Sequence, residues 1–284
     1  MTSKLTGAFA LHRIASAGDE DIVIHPALDR SRPNAARVHN RLLGERDNSL
    51  ADRRVAATLE KCLPGMADNA WAARRFAVDA VRAAAWLRFG LFVDLGCGYP
   101  VRETVHEVAQ GINRRASVLY VDHDPVVVAH ARALLAGGDA VEVVQADVRD
   151  ELGRVLGHSR VRAWVDLDEP VAVVMAALAE HLADGELAAV VDALACMLPG
   201  GSALVFTHVC DEGLDGRAVE AAAAAFGETD VEMTFRSAGK IRELFSDGRW
   251  SWEESPVDAG LSVFVDPGSV TFVGGIATVR GRWS

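Results

Sequence analysis

LFVDLGCGYP, residues 91–100, is the stretch from which the rest of the chain is read. Leu91, Phe92 and Val93 form a short apolar run that stops at Asp94 and is followed at once by Gly96 and Gly98. This is the pattern of a buried parallel strand ending in a tight turn. The two glycines let the backbone approach a ligand that a Cβ would hold away. A dinucleotide fingerprint would continue to a third glycine in G-x-G-x-x-G spacing, but Val101 stands there and Pro100 precedes it. That argues against an NAD-dependent oxidoreductase, the competing enzyme reading. Asp94 points the same way, because a carboxylate at this place repels a pyrophosphate yet can hydrogen-bond the ammonium of an amino-acid moiety.

Two further strand ends repeat the pattern. In VLYVDHDP, residues 118–125, Val118 to Val121 read as the next strand, and Asp122 ends it one crossover helix after Asp94. An acid at that tip can accept hydrogen bonds from both ribose hydroxyls of an adenosine. In VEVVQADVRD, residues 141–150, an apolar strand precedes Asp147, which is placed to take a hydrogen bond from an adenine amino group. Each acid alone reads as an ordinary loop or helix-cap residue. Three in order, one for each polar part of the same molecule, point to S-adenosylmethionine, which carries an ammonium, a ribose and an adenine but no phosphate.

Composition narrows the partners. With 284 residues, half of them hydrophobic, the chain can bury a full core. The formal net charge of -11 argues against a nucleic-acid backbone as the main partner. Cys62, Cys97, Cys196 and Cys210 are scattered, so free thiols in a reducing compartment are expected. The opening twenty residues have too short an apolar core for a signal peptide, and no long uncharged apolar run follows, which predicts a cytoplasmic protein without a membrane partner. Asp166, Asp168 and Glu169 cluster without a matching His or Cys arrangement, so no metal site is predicted.

Residues 1–33 read as an irregular arm between prolines. From 34 to 90 the chain is helical: a helix from Asn34 breaking at Gly44, another over 51–63, and an alanine-rich one over 70–87 with Phe76, Ala80, Val81, Ala84 and Leu87 on its apolar stripe. This is more than a bare nucleotide-binding fold needs and makes a candidate lid integrated with the core. From 91 to 284 strands and helices alternate. Asp124 and Pro125 start a helix, 161–165 and 170–177 compete for the fourth strand with the second preferred, a helix covers 184–197, and SALVFT at 202–207 is the fifth strand. Helices over 218–226 and 237–245 come next. The tail is aromatic and β-branched, suited to antiparallel edge strands turning at Asp266-Pro267-Gly268.

On these motifs the chain resembles an actinobacterial S-adenosylmethionine-dependent methyltransferase family once catalogued as a domain of unknown function. The resemblance starts with SRPNAARVHNRLLGERDN at 31–48 and continues through VDLGCGYP, VHEVAQ at 105–110, YVDHDPVVVAHARALL at 120–135 and ADVRD at 146–150. Later echoes are PVAVVMAALAEHLAD at 170–184, LPGGSALVFTH at 198–208 and the glycine pair at 274–275. It implies a Rossmann-like class I methyltransferase fold, α/β, with a mostly parallel sheet, antiparallel C-terminal edge strands and an N-terminal helical cap. It also implies that Asp94, Gly96 and Gly98 form the cofactor loop, that Asp122 is the ribose acid and Asp147 the adenine-side acid, and that Arg37, Gly44, Asp47 and Asn48 belong to a cap motif closing toward the cofactor. The chain departs from the family pattern at His39, Asn40, Glu45 and Cys97, and Ala179-Glu180-His181 keeps one histidine of a Leu-His-His stretch.

Methyl transfer from a sulfonium is an in-line displacement that needs alignment and, at most, removal of one proton. Glu180 and His181 after the fourth strand, and His208 after the fifth, are the candidate catalytic residues at the ligand-binding edge. The expected acceptor is a small molecule, in secondary metabolism. A non-catalytic protein that binds the cofactor or its product is the reading of another class. Trp250, Trp252 and Trp283 can line an acceptor site or a homodimer surface, with edge-strand packing the plainer alternative.

Overall fold

The computed structural model describes residues 29–135, 137–164, 169–252, 262–264 and 271–280. Three helices come first: α1 (Ala35–Leu42), α2 (Leu50–Cys62) and α3 (Met66–Trp86). The alternating part follows with β1 (Leu91–Leu95), α4 (Val105–Ile112), β2 (Ser117–Asp122), α5 (Pro125–Leu134), β3 (Val141–Gln145), α6 (Val148–Leu156), α7 (Ser159–Trp164), β4 (Val171–Met175), α8 (Asp184–Met197) and β5 (Ala203–Cys210). The chain closes with α9 (Gly216–Phe226), α10 (Ala238–Leu244), β6 (Trp250–Trp252), β7 (Ser262–Phe264) and β8 (Thr271–Val279).

The strands form one sheet in the order β3-β2-β1-β4-β5-β8-β6, with β7 also paired to β8. The first five are parallel, and β8 runs antiparallel to β5, β6 and β7. Every residue of β1, β2, β4 and β5 is buried, as expected for strands covered on both faces. Leu91, Val93 and Leu95 face a core made with α6, α8 and α10. Phe92 faces the other core, closed by the alanines of α3 together with α4 and α5. The strand order reverses beside β1, between the branch leading to β2 and the one leading through β4, and open α/β sheets bind ligands at the carboxyl end of such a point.

Of the two candidates for the fourth strand, 170–177 contains β4, while 161–164 belongs to the short helix α7. The third helix begins four residues before the expected Ala70, at Met66, because Gly65 adopts φ 93° and turns the chain into it. The fifth strand runs to Cys210, so His208 lies within it and not beyond its end. Trp250 and Trp252 pack their rings 5.9 and 4.5 Å from Phe245 against the sheet, which is the edge-strand role. Residues 1–28 of the arm, Asp166, Asp168, the Asp266-Pro267-Gly268 turn and Trp283 lie outside the described residues. No helix among the described residues is long and apolar enough to cross a membrane.

The cap is fastened to the sheet in two ways. Leu42, Val55, Leu59 and Met66 share a third apolar core with Val209, Phe226 and Met233. Asn34, the N-cap of α1, donates from Nδ2 to Asp124 and to Asp230, both at 2.9 Å, and the Ala35 N–H reaches Asp230 at 2.8 Å. Beneath it, fully buried Asp52 accepts from the Asn34 N–H at 3.0 Å and from Arg37 Nε at 2.8 Å. Arg37 Nη2 in turn donates to the Arg32 carbonyl at 2.7 Å.

Removing one partner of a buried ion pair leaves the other charge uncompensated, so Asp52→Ala is expected to cost about 3–5 kcal/mol of stability. Urea unfolding followed by circular dichroism measures this, and a loss below about 1 kcal/mol would mean that the pair does not hold the cap.

Candidate active site

A cavity of about 1360 Å³, counted with its open mouth, lies at the carboxyl ends of β1, β2, β3 and β4 under α1 and α3. Asp94, Gly96 and Gly98 line it from the loop after β1, Asp122 and His123 from the end of β2, and Asp147 and Arg149 from the start of α6. Ala73, Arg74 and Ala77 line it from α3, and His39 and Asn40 from α1.

Asp94 lies opposite Tyr120 in β2 and Val174 in β4. It is buried, and among the described residues no hydrogen bond to its carboxylate is present. Burial pushes its pKa up to about 7, against the opposing pull of the Arg74 charge, and Asp122 pushes it further. Arg74 Nη2 donates to the Glu103 carbonyl at 2.9 Å, while its buried Nε has no partner. The floor of the cavity therefore presents one carboxylate and one guanidinium, each with hydrogen-bonding capacity left over.

Gly96 and Gly98 adopt φ 67° and 62°, a region that costs any residue with a Cβ. At Gly96 a Cβ would also meet Leu178 Cδ1 at 2.8 Å, whereas at Gly98 it would meet nothing within 4 Å. The first glycine thus lets the loop pack beneath Leu178, and the second bends it beside the open cavity. The Gly98 N–H donates to Asp122 Oδ2 at 2.9 Å, and the Asp124 N–H donates to Asp122 Oδ1 at 3.0 Å. These bonds fix the second acid and leave each oxygen a further lone pair. Burial raises the Asp122 pKa, and the two backbone donors counter it.

Asp147 caps α6, accepting from the Arg149 N–H at 3.0 Å, and its two oxygens are gripped by the Arg149 side chain at 2.6–3.0 Å. The Arg149 hydrogen bond is the main reason its pKa is lowered. Asp147 and Arg149 reach the cavity as a pair.

A second, smaller cavity adjoins the first. His39, Ala70, Ala73, Ala177 and His181 line both. Glu180 and His181, in a single 3-10 turn after β4, and His208, in β5, line this second space, so the three candidate catalytic residues converge there. Glu180 is 7% exposed, its Oε2 has no hydrogen-bond partner, and burial pushes its pKa up to about 7. His181 Nδ1 lies 3.0 Å from the Glu232 carbonyl, its ring stacks on Phe226, and burial lowers its pKa. His208 is held between the Val209 carbonyl at Nδ1 and Arg236 at Nε2, and burial pushes its pKa down to about 3. With both ring nitrogens occupied, His208 cannot accept a substrate proton in this arrangement, which corrects its candidacy as a base.

Arg37, Gly44, Asp47 and Asn48 do not line either cavity. Arg37 is committed to Asp52, and Asn48 bonds Asn40 at 3.0 Å and the Glu45 carbonyl at 2.8 Å. Asp47 and Gly44 are exposed. Sequence reading missed Arg74, which falls on the polar side of α3 among other arginines and is singled out only by the depth at which α3 crosses the sheet. It also missed Asp230, whose place beside Asn34 no local pattern announces.

The family profile described as S-adenosyl methyltransferase matches residues 23–249. The crystal structure of a candidate methyltransferase from Thermobifida fusca superposes with a TM-score of 0.77 at 34% identity, covering 90% of this chain and 98% of that one. A DUF574 family protein from Streptomyces avermitilis gives a TM-score of 0.77 at 23% identity over 89% of this chain and 99% of its own. The second likeness is one of fold. No curated protein matches the chain.

The charge state of Asp94 can be checked without a ligand. Its pKa of about 7 in the folded chain exceeds the ordinary 3.8, so the folded state binds the extra proton and stability falls as pH rises from about 4 through 7. Asp94→Asn removes that loss. Relative to the native chain, the variant is expected to gain stability, on the order of a few kcal/mol, between about pH 5 and 8. Urea unfolding at both pH values reads the difference, and a pH-independent difference would refute the assignment.

Proposed function

Because the chain belongs to the S-adenosyl methyltransferase family, we propose that it transfers the methyl group of S-adenosylmethionine to a small organic acceptor held under the helical cap. The observation that carries this reading is Asp94, a buried acid without a donor among the described residues, on the floor of a large cavity at the reversal point of the sheet. The donor set suits the cofactor. Asp94 would take its ammonium, Arg74 its carboxylate, Asp122 the ribose hydroxyls, and the Asp147–Arg149 pair the adenine side, with Gly96 and Gly98 allowing close approach.

The bound cofactor supplies an activated methyl group, so the protein's share of the work is alignment and disposal of at most one proton. Ala70, Ala73, Ala77 and Val78 of α3 give the roof short apolar side chains, which leaves room for an organic acceptor and excludes water from it. A cavity roofed in this way, in a chain of net charge -11, favours a small molecule over a polynucleotide. Arg37 and Asn48 contribute by holding the cap in place, and Gly44 and Asp47 lie on the turn between α1 and α2.

Calorimetry with S-adenosylmethionine and S-adenosylhomocysteine tests the cofactor site, and saturable binding of both is expected. Asp122→Ala should weaken S-adenosylhomocysteine by about 1–3 kcal/mol through lost hydrogen bonds, and an unchanged dissociation constant would contradict the ribose role.

Binding should also depend on pH. An ammonium prefers the ionised Asp94, whose pKa is about 7, so affinity for S-adenosylhomocysteine should rise between about pH 6 and 8 with release of a proton. Calorimetry in two buffers of different ionisation enthalpy counts that proton. A flat profile, or proton uptake, would remove Asp94 from the ammonium site.

A further inference from the structure

We propose that the second cavity is the acceptor subsite and that it takes an amine, a compact apolar molecule whose ammonium or N–H group binds the Glu180 carboxylate. This deepens the small-molecule reading above and rests on it. The space is about 470 Å³, counted with its mouth, and is bounded by Leu42, Met66, Phe226, Met233 and Phe272. With its open mouth left out the space is small, so it seats the amine end of a molecule whose apolar body reaches into the larger cavity beside it. The walls shared with the larger cavity are mostly alanine, so an occupant lies directly against the cofactor space.

Glu180 is what this apolar space lacks a reason for. It sits more than nine-tenths buried with Oε2 unbonded, while its main-chain carbonyl is fixed by the Thr234 N–H at 2.7 Å. A buried carboxylate oxygen without a donor is costly unless something it binds completes it. The protein completes Glu180 only in part: its own N–H and the Arg236 charge favour the ionised form, while Oε2 is left without a donor. Arg236 is the nearby cation, and its nitrogens are spent on Asp184 at 2.9 Å, the Ala179 carbonyl at 3.1 Å, His208 Nε2 at 2.7 Å and the Leu182 carbonyl at 2.6 Å.

The histidines around the cavity do not supply a charge either. His208 accepts from Arg236 at Nε2, so its proton is on Nδ1 toward the Val209 carbonyl and the ring is neutral. His181 donates from Nδ1 to the Glu232 carbonyl, which makes Nε2 an acceptor. Burial lowers the pKa of His39 to about 4. Thr207 Oγ1 accepts from the Ala177 N–H at 2.9 Å and contributes one hydroxyl proton. The space therefore holds an acid, neutral rings and apolar walls, with no cation among its described lining residues. Aromatic faces beside a carboxylate are the surroundings an organic ammonium prefers.

The test uses the full chain saturated with S-adenosylhomocysteine at about pH 8, where Glu180 is ionised. Calorimetry compares 2-phenylethylamine, 2-phenylethanol and 3-phenylpropionate. The amine is expected to bind about tenfold or more tightly than the alcohol, with the carboxylate weakest. Glu180→Gln should abolish the amine's advantage while leaving affinity for the alcohol and for S-adenosylhomocysteine within about twofold. Met233→Trp, which fills the space, should remove amine binding and spare S-adenosylhomocysteine, whose binding also reports that each variant is folded. An amine that binds no better than the alcohol, an advantage that survives Glu180→Gln, or no binding by any of the three overturns the inference. Binding of the alcohol or carboxylate without amine preference still leaves the small-molecule reading standing. Failure of S-adenosylhomocysteine to bind strikes at the cofactor site instead.

Discussion

A carboxylate held out of water at the end of the central strand is the constraint around which the molecule is arranged. Asp94 occupies a position in β1 where the neighbours in register are Tyr120 and Val174, and a hydrophobic residue there would complete the core. Burial instead drives its pKa to about 7. The folded chain accepts that cost because α3 brings Arg74 over the same spot and because the space above is left open rather than filled. Burial of this kind lowers folding stability and leaves an acid already stripped of water at the edge of an open cavity.

The cap follows from the same requirement. A cavity at the carboxyl edge of a parallel sheet is open to solvent unless something covers it, and α1 to α3 do so through one shared apolar core and one polar latch. Asn34 bonds Asp124, two residues beyond Asp122, so the start of the cap is tied to the loop that carries Asp122. His123 stands between Asp122 at 3.6 Å and Asp230 at 3.7 Å, and its close approach to Asp230 is the main cause of its raised pKa. The cap, Asp122 and the segment before α10 therefore meet in one electrostatic cluster, and a change of charge at Asp122 is felt at the fastening of the cap.

What could be read from the sequence was whatever local chemistry specifies. The LFVDLGCGYP turn, the Asp124-Pro125 helix start and the fully apolar 171–175 run each have one cheap conformation, and the structure adopts it. The antiparallel tail followed from its β-branched composition. Positions set by packing at a distance were not legible. Arg74 looks like its neighbour Arg75, and only the crossing of α3 over β4 and β5 turns one of them inward. His208 read as a residue beyond the fifth strand because Val209 and Cys210 were not counted in it, and pairing with β8 extends that strand to Cys210. The 31–48 signature falls on α1 and the turn after it, and its polar residues serve mostly to hold that segment together, since a buried arginine such as Arg37 is committed to Asp52.

Two acids, Asp94 and Glu180, are each pushed to about 7 by burial and stand on either side of the shared wall of alanines and histidines. Near neutral pH each can exist with or without its proton, since Asp94 has no donor among the described residues and Glu180 Oε2 has none either. A cation arriving at either site favours ionisation of the acid there. Filling the two cavities is linked through the wall they share.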